Sequence, residues 1–174
     1  MDTTIIKCIC MWSDLLGFGS AFEKGKWTFE SQDALRNVSR LQLLRNSFYR
    51  SNSSFSEITF VLNDGQASVF DFPKSEHIAF ELLWWLNCSI ANHWIVNAHD
   101  LANGYNGMRS VMCTGERVQI CRENITFEEL VLKNKNFKSA ADKKIIIYSP
   151  AEFQLNLALS KAYILESLGS RHGL

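Results

Sequence analysis

The sequence predicts a mixed α/β domain built as a split βαβ unit. Three observations predict it. An apolar run rich in β-branched residues, Ile5–Trp12, opens the chain; an Asn63-Asp64-Gly65 turn sits between two further apolar runs; and two long segments with helical spacing lie before and after that hairpin. With 174 residues the chain has the length of one domain and can build a core.

Each element has a local reason. Ile5–Trp12 reads as a buried strand that ends at Asp14, before Gly17-Phe18-Gly19. Ser31–Arg50 reads as a polar helix, because Leu35, Val38, Leu41, Leu44 and Phe48 recur at spacings of three and four. Ser51-Asn52-Ser53-Ser54 breaks it. Ile58–Leu62 and Ala67–Phe72 form the hairpin around Asn63-Asp64-Gly65. A second helix is expected from Ser75, a candidate N-cap, to about His99, with Ile78, Leu82, Leu86 and Ile90 on one stripe. Met108–Thr114 and Arg117–Cys121 look like two strands joined at Gly115-Glu116, where Glu116 and Arg117 could pair across the turn. Glu123–Lys144 reads as a variable insertion, Ile145–Tyr148 as a short strand, and about Ala151–Leu168 as a last helix stopped by Gly169. The order strand–helix–strand–strand–helix–strand, with a strand and helix appended, is the ferredoxin-like βαββαβ pattern of an α+β sheet with helices on one face.

Composition narrows the function classes. Lys+Arg and Asp+Glu are both 18, so the formal charge is zero. That balance argues against a nucleic-acid track and against a polybasic membrane surface. No segment reads as a signal peptide, and Ile78–Val96 carries Glu81, Asn87, Asn92 and His93, too polar for a membrane span. The five cysteines are odd in number and include no C-x-x-C pair. They predict a reducing, cytoplasmic setting, with Cys8 and Cys10 packing in the first strand.

The residues with chemistry are two carboxylates. In a split βαβ sheet the first strand lies beside the hairpin, so Asp14 at its end and Asp64 at the hairpin tip can converge. Paired carboxylates would hold a hard divalent cation, with phosphate oxygens and water completing the shell. Gly17 and Gly19 would let backbone N–H groups approach a phosphate. Taken separately, both acids also suit ordinary turn chemistry.

Four runs, in order, resemble one family. Ile9–Phe18 resembles the opening strand of class III nucleotidyl cyclase catalytic domains: a buried strand, an Asp, two apolar residues, then Gly-Phe. Ile58–Gly65 is similar to their metal-binding hairpin, with Asn-Asp where Gly-Asp is usual. Gly107–Glu116 resembles their strand ending in Thr-Gly-Glu, and Phe153–Ala158 their Val-Asn-x-Ala helix start. The resemblance implies a single catalytic domain over residues 1–174 that lacks the family's final strand. It implies a cyclase that joins the 3′-hydroxyl of a nucleoside triphosphate to its α-phosphate and releases pyrophosphate. Asp14 and Asp64, with the backbone of Leu15, would bind two Mg²⁺ or Mn²⁺ ions, and the backbone from Leu15 through Gly17, Phe18 and Gly19 would help hold the phosphates. Asn156 would orient the ribose across a head-to-tail homodimer. No nucleic-acid or membrane partner is expected.

The chain also departs from the pattern. Ser160 stands where the family has a transition-state arginine, leaving Lys161 and Arg171 as candidates. The base-facing positions are Phe60 and Ser149, neither the usual purine reader. These departures suggest a different base, such as the pyrimidine of the bacterial antiphage pyrimidine cyclases, or a non-catalytic nucleotide-binding or dimerising module with the same fold. Outside these runs, His93, His99 and Asp100 read as a solvated helix end, or a metal site. Trp84, Trp85 and Trp94 read as core or oligomer interface, with Trp84 and Trp85 pointing in different directions. The lysines between 133 and 144 read as a solvated loop, or a grip on the triphosphate tail.

Overall fold

The computed structural model describes residues 3–51, 57–72, 76–120, 153 and 155–169. The elements are β1 (Thr3–Leu15), α1 (Phe18–Lys24), α2 (Gln32–Ser51), β2 (Glu57–Leu62), β3 (Gly65–Asp71), α3 (Ile78–Ala102), β4 (Met108–Ile120) and α4 (Leu157–Ser167). The strands form one antiparallel sheet in the order β2-β3-β1-β4. That is the expected ferredoxin-like topology: β1 and β2 run parallel with β3 between them, and β4 closes on the far side of β1. The insertion, the Ile145–Tyr148 strand, Ser75, Ser149, Arg171 and the lysine run fall outside the described residues. Among the described residues, no helix is long and apolar enough to cross a membrane.

β1 is central, so both of its faces must be covered, and its alternation serves two cores. Met11 packs with Phe70 and Trp85, and Leu15 with Phe18, Leu44, Val96 and Met108, on the face under α2 and α3. Cys8 and Cys10 lie on the other face with Ala67, Val69 and Ala158, under α4. The helices therefore occupy both faces of the sheet, which corrects the one-face expectation. Cys8 and Cys10 pack as expected, and burial pushes their thiols up to about 11 and about 12.

Three further expectations change. Met108–Ile120 is one continuous strand with no turn at Gly115, which pairs with Cys8. The glycine is there for close approach: a Cβ would stand 2.8 Å from the Ala158 backbone nitrogen, so it lets α4 settle on the sheet. Arg117 accordingly does not pair with Glu116. It reaches across the same face to Asp71, with Nε at 2.8 Å from Oδ1. The last helix begins at Leu157, with Asn156 as its cap.

The stripe on α2 also differs. Among its residues of described burial, 32–46, the buried positions are Ala34, Asn37, Arg40 and Leu44, while Leu35 is 54% exposed; Phe48 lies outside them. Two of the four are polar, so apolar periodicity found Leu44, and Leu41 packed beside it, but not Asn37 and Arg40. α3 behaves alike: Trp85, Ser89, Asn92, Val96, Asn97 and Asp100 are buried, and Ile90 is exposed. Trp85 points into the core while Trp84 and Trp94 point out.

Candidate functional site

β1 ends beside the β2–β3 turn. Asp14 pairs in register with Gly65, and the Leu15 N–H donates to the Asp64 carbonyl at 3.1 Å. Asn63 takes a positive φ of 55°, and its Nδ2 donates to Asp64 Oδ1 at 2.9 Å. The turn is thereby held with Asp64 beside Asp14. On the other side of β1, Asp14 pairs with Arg109 of β4. The Arg109 guanidinium donates from Nε to Glu166 Oε1 at 2.8 Å, near the end of α4.

The cluster holds three carboxylates and one arginine. Asp14 registers the imbalance: its carboxyl is pushed up to about 7, first by burial, then by Asp64 and Glu166, while Arg109 and Arg40 pull the other way. A half-buried carboxyl that resists ionisation, first because it is desolvated and then because acids lie near it, is relieved by a cation. The donor set, two hard carboxylate oxygens on adjacent strand ends, fits Mg²⁺ or Mn²⁺. Among the described residues no group of three His, Cys, Asp or Glu side chains could enclose a metal. A cation at Asp14 and Asp64 would thus leave coordination positions for other oxygens.

The turn after Asp14 is held from beneath. Arg40 donates to Asp100 Oδ2 from Nε at 2.9 Å and from Nη2 at 2.6 Å. Its Nη2 also reaches the Leu16 and Gly107 carbonyls, and its guanidinium lies 4.6 Å over the Tyr105 ring. Asn37 Nδ2 donates to the Phe18 carbonyl at 2.7 Å. Asp100 is fully buried and His93 half-buried, with its Nδ1 2.9 Å from Ser110 Oγ. Burial lowers the pKa of His93. Of the solvated helix end expected at His93, His99 and Asp100, Asp100 is instead a buried brace and His93 is half-buried, while the His99 side chain stays 39% exposed.

The predicted site residues divide. Asp14, Asp64, Leu15, Gly17, Phe18 and Gly19 come together at the sheet edge. Gly17, at φ 72°, is the cap of α1 and offers no side chain to its first-turn N–H groups. The N–H groups of Leu15 and Leu16 are already spent on the Asp64 and Gly107 carbonyls, and the Phe18 side chain is core. Of the run expected to hold phosphates, that leaves the backbone from Gly17 to Gly19, at the start of α1. Phe60 stands on the same sheet face as Asp14, its ring 5.5 Å from Phe153.

Asn156 and Lys161 are elsewhere. Asn156 is buried, and its Oδ1 accepts from Leu159 N at 3.0 Å and from Cys8 Sγ at 3.8 Å. Cys8 is six residues before Asp14, about 20 Å along a strand. Lys161 is exposed on α4, and Ser160 Oγ returns to the Asn156 carbonyl. Arg40, Arg109 and Glu166 were missed. Arg109 had a signal, since it lies in the strand run already matched; Arg40 and Glu166 had none.

No protein-family model matches the chain, and no curated protein sequence matches it. Among solved structures it is similar to the guanylyl cyclase Cya2, with a TM-score of 0.54 and 17% identity over 98% of this chain and 74% of that one. It also aligns with the adenylyl cyclase CyaB from P. aeruginosa, at 14% identity and a TM-score of 0.49, over 98% of this chain and 76% of that one. The likeness to Cya2 is one of fold: this chain has the architecture of a cyclase-like α+β domain.

Proposed function

We propose that the chain is a metal-dependent nucleotidyl cyclase, acting on a nucleoside triphosphate as a head-to-tail pair. The observation that carries this reading is the convergence of Asp14 and Asp64 at one sheet edge, with excess negative charge and open coordination. The four motif runs and the cyclase-like fold support it. Divalent cations held by Asp14, Asp64 and the Leu15 carbonyl would offset the roughly four negative charges of a triphosphate and make its 3′-hydroxyl easier to deprotonate.

The protein's own share is placement. The Gly17–Gly19 backbone directs N–H groups toward the phosphates, and Arg109 adds a positive charge next to Asp14. In the reaction the 3′-oxygen bonds to the α-phosphorus, the bond from that phosphorus to the bridging oxygen breaks, pyrophosphate leaves, and the hydroxyl proton is released. Phe60 presents an aromatic ring toward the base and no hydrogen-bonding group, which suits a reader other than the purine pair. Asn156 lies too far along the fold to serve Asp14 of its own chain, so it would act only on a second copy.

A second reading has its own support. Asn156 Oδ1 is committed to capping α4, and Ser160 fills the arginine position. Both favour a nucleotide-binding module that retains the fold without the reaction. Incubating the purified chain with each of four nucleoside triphosphates and Mn²⁺, followed by chromatography of the products, separates the two. A cyclic nucleotide and equimolar pyrophosphate are expected. Binding without product would leave the module, and neither binding nor product would remove both.

A further inference from the structure

The longest helix is built inside out. From Ala79 to Ala102, every exposed position of α3 except Asn87 is apolar, while its buried positions include Ser89, Asn92, Asn97 and Asp100. A surface helix ordinarily has the reverse pattern. The orientation is not free to relax by rotation, because the inner face is bonded to the sheet and to α2. Trp85 Nε1 donates to Ser68 Oγ at 3.1 Å, Asn97 Oδ1 accepts from Met108 N at 2.9 Å, Asn97 Nδ2 donates to Met108 O at 3.1 Å, and Asp100 holds Arg40. Turning the helix would strand these polar groups in the core, at roughly 1–3 kcal/mol each.

We infer that the outer face of α3 is a docking surface for a second copy of this chain, in an antiparallel α3–α3 pair. Its size fits. Phe80, Leu83, Ile90, Trp94, Ile95 and Leu101 are each 49% to 69% exposed. Together they show on the order of 700 Å² of apolar side chain, close to the roughly 800 Å² that each partner gives to a standard interface.

Its shape fits as well. Two copies related by a two-fold axis at Ala91 bring Phe80 of each opposite Ala102 of the other, and Trp84 opposite Ala98. At these two pairs an aromatic of one copy meets an alanine of the other, the self-complementarity a two-fold contact requires. The charge fits too. α3 contains no Lys or Arg, so it lacks the basic rim by which interfacial helices hold anionic lipid. The contact lies on the opposite side of the sheet from Asp14 and α4, and it stands apart from the cyclase reading.

Sedimentation equilibrium on the full chain tests this. The wild type is expected to self-associate, and Ile90→Glu with Trp94→Glu should raise the dissociation constant by about 100-fold, as loss of central apolar contacts does. Both positions are exposed, so the circular dichroism of the folded chain should be unchanged, and any lowering of the melting point should vanish when the two proteins are compared at concentrations where both are monomeric. Ala91→Cys supplies a positional readout: under mild oxidation it should give a copy-to-copy disulfide that the wild type does not, and Trp94→Glu should abolish it. Asp14→Ala should leave the association intact, so failure of this contact and failure of the cyclase reading are distinguishable. A wild type that stays monomeric overturns the proposal, whether it floats with phosphatidylcholine–phosphatidylglycerol vesicles or not. An association that survives the double substitution, with no Ala91→Cys disulfide, also overturns it.

Discussion

Two acid–arginine clusters flank the end of β1, and they solve opposite problems. Behind the strand, Arg40 and Asp100 are both almost wholly buried, and each is answered by the other and by backbone carbonyls or rings. At the sheet edge, Asp14, Asp64 and Glu166 share one arginine, and the Asp14 carboxyl is pushed up to about 7. The first cluster is electrostatically closed and serves the fold. The second is left short of positive charge beside a backbone turn that the first cluster holds still. A charge that a fold fails to balance, next to one that it balances fully, marks where a ligand supplies the missing counter-charge.

The largest expected effect comes from opening the closed cluster. Asp100→Leu or Arg40→Leu should each cost about 3–5 kcal/mol in urea unfolding, because each leaves a buried partner charge unanswered. Arg40→Met combined with Asp100→Leu should recover at least half of that loss. Single variants as stable as the wild type would show that the brace does not hold the turn.

At the open cluster the balance reverses. Asp14→Ala and Asp64→Ala should each weaken Mn²⁺ binding by about 100-fold or more, as loss of a primary ligand does, without lowering the melting temperature. Calorimetric titration checks it, and unchanged affinity in both variants would remove the metal site.

The raised carboxyl of Asp14 adds a pH signature. Below about pH 7 it holds a proton that a cation must displace. Mn²⁺ affinity should therefore climb by roughly tenfold per pH unit up to about 7 and level off above it. A profile flat from pH 5 to 8 would show that Asp14 is not a ligand.

The same shift acts on stability with a definite sign. The folded carboxyl binds its proton more tightly than the unfolded one, whose value is near 3.8. The wild type without metal therefore loses stability as pH rises from about 4 to 7. Asp14→Asn escapes that loss and should exceed the wild type by about 1–2 kcal/mol at pH 8, with the two converging near pH 4. The smallest effect is that of Glu166→Gln. Removing the more distant acid should lower the midpoint of the Mn²⁺ profile by less than one unit, and a rise instead would place Glu166 among the ligands.

Much of this was legible in the residues. Ile5–Trp12 and the Asn63-Asp64-Gly65 turn specify β1 and the hairpin by local chemistry, and the split βαβ topology then brings Asp14 and Asp64 to one edge. What periodicity could not show was any face defined by polar residues. On α2 the buried line runs through Asn37 and Arg40, and on α3 through Ser89, Asn92, Asn97 and Asp100. An apolar count finds part of each packed face, Leu41 and Leu44 on α2 and Leu82 and Leu86 on α3, but adds the exposed Leu35 and Ile90 and passes over the polar line. Gly115 reads as a turn in one dimension, and only the closeness of Ala158 shows it to be a contact point within a continuous strand.

The sequence by itself determined β1, the hairpin and the two carboxylates, because turn chemistry and side-chain alternation act between near neighbours. Only the tertiary structure decided which helix faces are buried, that α4 covers the second face of the sheet, and that Arg109 and Glu166 join the site while Asn156 is drawn into a cap. Those outcomes depend on partners up to 148 residues apart. The gain from pairing a buried polar group exists only after the chain has brought its partner beside it.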